Sequence, residues 1–130
     1  MIKLDRIKIL TRDKYVYDLN PDKIKSTRST VPNTIMQKQP FNLFIQLKPH
    51  EGIAIIEFSA KILLDNYPQL ITMNTIRQCF INICKMDYCK LDIENIIKDS
   101  ELLSCDLTDD MAGIQLPTNF KPMLTKVSHI

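Results

Sequence analysis

Two alternating apolar runs joined by one turn constrain this chain most. Phe41, Leu43, Ile45 and Leu47 fall on one face of an extended segment, with Asn42, Phe44, Gln46 and Lys48 on the other. Pro49-His50-Glu51-Gly52 supplies turn residues, and Ile53–Phe58 is a second strong strand. The spacing predicts an antiparallel hairpin with a four-residue loop.

The other elements follow from period and caps. Ile2–Leu10 reads as a strand whose apolar phase slips between Leu4 and Ile7, which predicts a bulge or burial on both faces. Tyr15–Leu19 reads as a short strand ended by Asn20-Pro21. Ser59 is placed to cap a short helix, Ala60–Asp65, stopped by Pro68. Thr72 or Asn74 caps the clearest helix, running to about Met86, with Ile76, Cys79, Phe80, Ile83 and Cys84 as its apolar stripe. Asp92–Asp99 reads as a shorter helix with Ile93, Ile96 and Ile97 inward. Leu102–Asp109 reads as a strand with Leu103, Cys105 and Leu107 on one face and Ser104, Asp106 and Thr108 on the other. Strands, then helices, then a strand predict an α+β fold: an antiparallel sheet with helices packed on one face.

A length of 130 residues fits a single α+β domain, 1–130, with a core of its own. An apolar fraction of 45% with 25% charged residues excludes wholesale disorder, and 4 Cys exclude a disulfide-dense miniprotein. No apolar run is long enough for a transmembrane helix, and the N-terminus alternates charged and apolar residues, unlike a signal peptide. An intracellular, cytoplasmic protein without a membrane partner is expected. Cys79, Cys84, Cys89 and Cys105 form no CxxC pair, so reduced and mostly buried thiols are expected rather than structural zinc.

The net charge of +2 hides an asymmetry. Residues 1–48 carry ten Lys/Arg against Asp5, Asp13, Asp18 and Asp22, whereas residues 49–130 carry seven bases and eleven acids. No acid stands between Asp22 and Glu51, and residues 20–40 are polar, hold Pro21, Pro32 and Pro40, and show no period. They read as a long, flexible basic loop. Lys23, Lys25, Arg28, Lys38 and Lys48 in segment 23–48 are therefore candidate contacts to phosphates. The same pattern also fits a merely solvated loop. Tyr15, Tyr17, Tyr67 and Tyr88, and Phe44 on the open sheet face, are candidates for stacking on bases.

Two acids stand where strands are otherwise apolar. Glu57 interrupts Ile53–Phe58, and Asp106 sits in the last strand with Asp109 and Asp110 beyond it. If those strands are neighbours, Glu57 and Asp106 meet on one face, where paired carboxylates hold hard cations such as Mg²⁺ or Mn²⁺. The same placement fits a Glu57 that pairs with a Lys or Arg, or faces solvent. No Gly-rich phosphate loop and no GxSxG elbow is present, and His50 and His129 lie in a turn and the tail.

Three segments together carry a resemblance: Ile2-Lys-Leu-Asp-Arg-Ile-Lys-Ile; Ile56-Glu-Phe-Ser-Ala-Lys-Ile-Leu with Asp65-Asn-Tyr-Pro-Gln-Leu-Ile; and Cys89-Lys-Leu-Asp with Leu103-Ser-Cys-Asp-Leu-Thr-Asp-Asp. Over roughly residues 1–112 this order resembles the N-terminal part of phage and plasmid replication initiators of the gene II/X type. The resemblance implies a DNA-engaging domain, single-stranded or origin duplex, in the host cytoplasm. In that family a tyrosine attacks a phosphodiester with help from a divalent metal. It implies metal or DNA contact at Glu57 and Asp106, and a phosphate contact at Lys61. The chain departs from the family in having no His-hydrophobe-His pair and no tyrosine in a YxxxK or YxxK setting. It is therefore expected to be an N-terminal fragment or a relative without the nicking chemistry. Two further readings are a small phage protein that binds and inhibits a host defence protein, and a subunit that forms a homodimer through its sheet edge.

Overall fold

A computed structural model describes residues 3–20, 22, 25–26, 34–35 and 43–107. In chain order these form β1 (Leu4–Arg12), β2 (Val16–Tyr17), β3 (Lys25–Ser26), β4 (Thr34–Ile35), β5 (Phe44–Lys48), β6 (Ile53–Ser59), α1 (Ile76–Lys85), β7 (Lys90–Leu91), α2 (Ile93–Asp99) and β8 (Glu101–Leu107). Short 3-10 segments cover Asp13–Tyr15 and Ala60–Gln69.

The expected hairpin is β5–β6. Lys48 pairs with Ile53, and the turn closes through Glu51 N–H to the Lys48 carbonyl (3.0 Å) and Gly52 N–H to the Pro49 carbonyl (3.2 Å). Gly52 takes φ 69°, a conformation that side-chain-bearing residues rarely adopt. The sheet has the order β3-β4-β5-β6-β1-β8 and every pairing is antiparallel. β2 and β7 form a separate two-stranded sheet.

One face of the large sheet is the core. Ile7, Ile9 and Thr11 of β1 are buried with Leu43, Ile45, Leu47, Ala54, Ile56 and Phe58. Helix α1 presents Ile76, Cys79, Phe80 and Ile83, and α2 adds Ile96 and Ile97. Phe80 meets Phe58 edge-on, with ring centroids 5.6 Å apart. The fold is α+β, an antiparallel sheet with its helices on one side. The phase slip in β1 is a register irregularity against β8 between Leu4 and Arg6, and it lets both Leu4 and Ile7 be fully buried.

The structure departs from the sequence pattern in several places. The expected strand Tyr15–Leu19 shrinks to Val16–Tyr17, because Asp13–Tyr15 closes as a 3-10 turn. The expected helix Ala60–Asp65 is 3-10 and runs on to Gln69 past Pro68, broken at Leu64 (φ 58°, ψ −120°). Ser59 does cap it, its hydroxyl accepting from Lys61 N–H (3.3 Å). In β8 Leu102 is buried and Leu103 exposed, the reverse of simple alternation, because the register shifts opposite Lys8 and Ile9. Within the expected loop 20–40, Lys25–Ser26 and Thr34–Ile35 are strands; most of that loop, Phe41, Thr108–Asp110 and the tail from Gly113 lie outside the described residues.

Helix α1 starts at Ile76 with Thr75 at its N-cap position, just after the caps predicted at Thr72 or Asn74. The Thr72 hydroxyl accepts from Asn74 N–H (3.1 Å), and its carbonyl accepts from Thr75 and Ile76 N–H (3.1 and 2.9 Å). The Thr75 hydroxyl in turn accepts from Thr72 N–H (2.8 Å). No helix among the described residues is long and apolar enough to cross a membrane.

Candidate functional site

The helices cover one face of the sheet and leave the other to side chains at alternate positions. From β1 these are Arg6, Lys8, Leu10 and Arg12, of which Arg12 is exposed and the others half-buried. Across the β1–β6 ladder Lys8 faces Glu57, Leu10 faces Ile55 and Arg12 faces Ile53. Across β5–β6 Phe44 faces Glu57, Gln46 faces Ile55 and Lys48 faces Ile53. Toward β8, Lys8 faces Ser104 and Arg6 faces Asp106. The open face therefore has an apolar centre, Leu10 with Ile53, Ile55 and Phe44, bordered by Arg12 and Lys48 at the hairpin end, by Lys8 farther along β1 and, toward β8, by exposed Glu101 opposite Leu10.

Glu57 and Asp106 do share this face, but not as neighbours. Strand β1 lies between β6 and β8, and Arg6 on it reaches both acids. Its Nη1 donates to Glu57 Oε2, its Nε to Asp106 Oδ2 (3.1 Å) and its Nη2 to the Ser104 hydroxyl (3.1 Å). A planar guanidinium can serve three acceptors at once because its donors diverge at fixed angles. Partial burial opposes the Arg6 charge, but the hydrogen bond and charge of Asp106 and those of Glu57 outweigh it and raise the pKa. The cation between these carboxylates is a side chain. Among the described residues no group of three His, Cys, Asp or Glu is placed to hold a metal. Arg6 occupies the position between the two carboxylates that a cation would take, and no chemical step is routed through a metal.

The predicted phosphate contacts separate. Lys48 is on the open face, 4.0 Å from Glu51 in the turn. Lys61 is exposed beyond the other end of β6, about 20 Å away along a strand of that length. Lys25 lies in β3, paired with Ile35. Lys23, Arg28 and Lys38 lie outside the described residues. The cations that do line up are Arg6, Lys8 and Arg12, a spacing of i, i+2, i+6 that period-2 reading of the first strand contains.

The other reactive groups lie away from the open face or are engaged by neighbours to different degrees. The Tyr15 hydroxyl donates to Asp99 Oδ2 (2.5 Å), a bond that raises its pKa. The Tyr67 hydroxyl donates to Asp5 Oδ1 (3.4 Å), Tyr88 is buried, and Tyr17 is exposed on β2. All four cysteines are free thiols; burial pushes Cys79 and Cys89 up to about 12. His50 is exposed in the hairpin turn.

Compared with family models, curated proteins and solved structures, the chain matches none of them.

Proposed function

We propose that this chain is a DNA-binding domain whose working surface is the open face of the sheet, serving replication initiation in a phage or mobile element. The observation that carries the reading is one strand, β1, presenting Arg6, Lys8 and Arg12 at alternate positions beside a half-buried apolar centre that includes Phe44 and that no helix covers among the described residues. Cations along a strand follow a phosphate backbone, and an aromatic on the same face offers a stacking surface for bases. The resemblance to gene II/X initiators supplies the biological setting. No nicking step is assigned to this chain, since no tyrosine stands in a YxxxK or YxxK setting and the Tyr15 and Tyr67 hydroxyls are engaged with Asp99 and Asp5.

Fluorescence anisotropy of labelled single- and double-stranded DNA at about 50 and about 200 mM salt tests this. Binding that weakens with salt, and weakens further in Lys8→Ala and Arg12→Ala, is the expected result. Absence of binding at micromolar protein in either salt removes the reading.

One observation favours a second reading, inhibition of a host protein. Asp99, Glu101 and Asp106 are exposed along and just before the edge strand β8. A row of acids at an edge suits a basic protein partner that normally grips nucleic acid.

A further inference from the structure

The open face holds four cations from β1 and β5, but they are not equally available. Arg6 commits all three of its nitrogens to Asp106, Glu57 and Ser104. Lys48 leans toward Glu51. Lys8 and Arg12 make no ion pair among the described residues. Yet Arg6 has the chemistry best suited to phosphate, a planar fork that binds two oxygens at once. Glu57 and Asp106 present to it the same kind of acceptor a phosphate would.

We propose that Glu57 and Asp106 act as an intramolecular competitor for phosphate: they withhold Arg6, so that the open face engages a polyanion through Lys8, Arg12 and Lys48 without it. This rests on the nucleic-acid reading for its purpose, though the masking of Arg6 does not. The consequence is weak, rapidly reversible contact from a face that has enough cations for a tighter one. Asp106 is the looser arm, its side chain 59% exposed against 27% for Glu57. The acids are then specificity-setting residues that touch Arg6 rather than ligand.

Arginine-selective modification by phenylglyoxal, mapped by mass spectrometry without nucleic acid, tests the masking. Arg6 should react several-fold more slowly than exposed Arg12 in the parent. In Glu57→Gln/Asp106→Asn it should react at the Arg12 rate, and inorganic phosphate should then protect it. Asp106→Asn alone, at an exposed position, keeps the fold intact if the double variant does not fold, and should give an intermediate rate. Single-stranded DNA titration tests the consequence. The double variant should bind several-fold tighter at low salt, its log-log salt slope steeper by about 0.7, the increment for one more phosphate on a single strand. Equal Arg6 and Arg12 rates in the parent, or no protection by phosphate in the variant, overturn the masking. Weaker DNA binding by the variant also overturns the proposal, because the acids would then be holding the ligand. A parent chain that binds no DNA while Arg6 is masked and phosphate-protectable removes the nucleic-acid reading and leaves the competitor in place.

Discussion

Lys8 stands directly opposite Glu57 across the β1–β6 ladder, yet the Glu57 carboxylate is taken by Arg6, which lies diagonally from it. Reach explains the choice. Arg6 can join β6 to β8 across β1 and satisfy Glu57, Asp106 and Ser104 together, whereas a lysine ammonium opposite Glu57 is a single point charge. Lys8 is left pointing from the open face without an ion pair among the described residues.

This clamp ties three strands, so its loss should weaken the sheet. Arg6→Ala is expected to cost about 1–3 kcal/mol, mostly from leaving half-buried Glu57 without its donor. The Asp106 share is small because solvent screens an exposed pair. Arg6→Lys should recover less than half, since one ammonium cannot span both acids. Urea midpoints of the three proteins check the order; equal midpoints for parent and Arg6→Ala would show the clamp to be energetically idle.

Two buried hydroxyls have no partner among the described residues, Thr11 and Ser100. Both are almost fully buried, and they follow the last pair of the β1–β8 ladder, Leu10 with Glu101. A buried hydroxyl that makes no hydrogen bond carries its desolvation cost uncompensated. Thr11→Val keeps the shape and the β-branching while removing the polar atom. It is expected to raise stability by about 1 kcal/mol, read as a higher denaturation midpoint with unchanged slope. A drop of that size would mean that the Thr11 hydroxyl is satisfied in solution.

Long periodic elements were legible in the sequence and short ones were not. The hairpin β5–β6 and helix α1 repeat their apolar period several times, so face and extent can be read; α2 is shorter but its Ile93, Ile96 and Ile97 still mark one face. Strands β3, β4 and β7 have two residues apiece, too few to display alternation. They exist because neighbouring backbone offers hydrogen bonds, as Val16–Tyr17 does for Leu91 and Lys90. The inward residue of β8 departs from simple alternation because the register shift opposite Lys8 and Ile9 changes which of Leu102 and Leu103 points in, and two adjacent leucines do not show which one that is. At the candidate site, Glu57 and Asp106 stood out as acids in apolar strands. Arg6 did not, because a basic residue in an alternating strand looks like ordinary solvent-facing charge. Only the strand order, with β1 between β6 and β8, makes it the link.

Alkaline pH should unfold this protein through its buried thiols and Tyr15. Burial raises Cys79 and Cys89 from 9.0 to about 12. Tyr15 is raised above 10.0, chiefly by its hydrogen bond to Asp99. A folded pKa above the unfolded value means the protonated form favours folding. The stabilisation is therefore complete below pH 9.0 and is lost as pH rises toward about 12. Urea midpoints should be flat up to pH 9.0 and fall beyond it, with a shallower fall in Cys89→Ala. At neutral pH a thiol-disulfide reagent should label half-buried Cys84 and Cys105 well before Cys79 and Cys89. A midpoint that stays flat through this range contradicts the burial of those protons.

Leu64 sits where a glycine would be at ease. Its φ of 58° and ψ of −120° match the first central position of a type II′ turn, which strongly favours glycine. A leucine held there costs on the order of 1–3 kcal/mol. Packing returns little of that, since Leu64 is 57% exposed. The surrounding segment is held by other contacts: Asn82 Nδ2 donates to the Ile62 carbonyl (2.9 Å), and Leu4 and Ile71 exchange backbone hydrogen bonds (both 2.9 Å). Those contacts impose the kink, so relieving it should not release the segment. Leu64→Gly is expected to be neutral to stabilising by about 1 kcal/mol, despite the greater freedom glycine gives the unfolded chain. Leu64→Ala keeps the strain, loses the little burial that exists, and should fall below the parent. Thermal midpoints in the order Gly, parent, Ala support a strained backbone at this kink; Gly below Ala would show that the chain adopts ordinary φ there in solution.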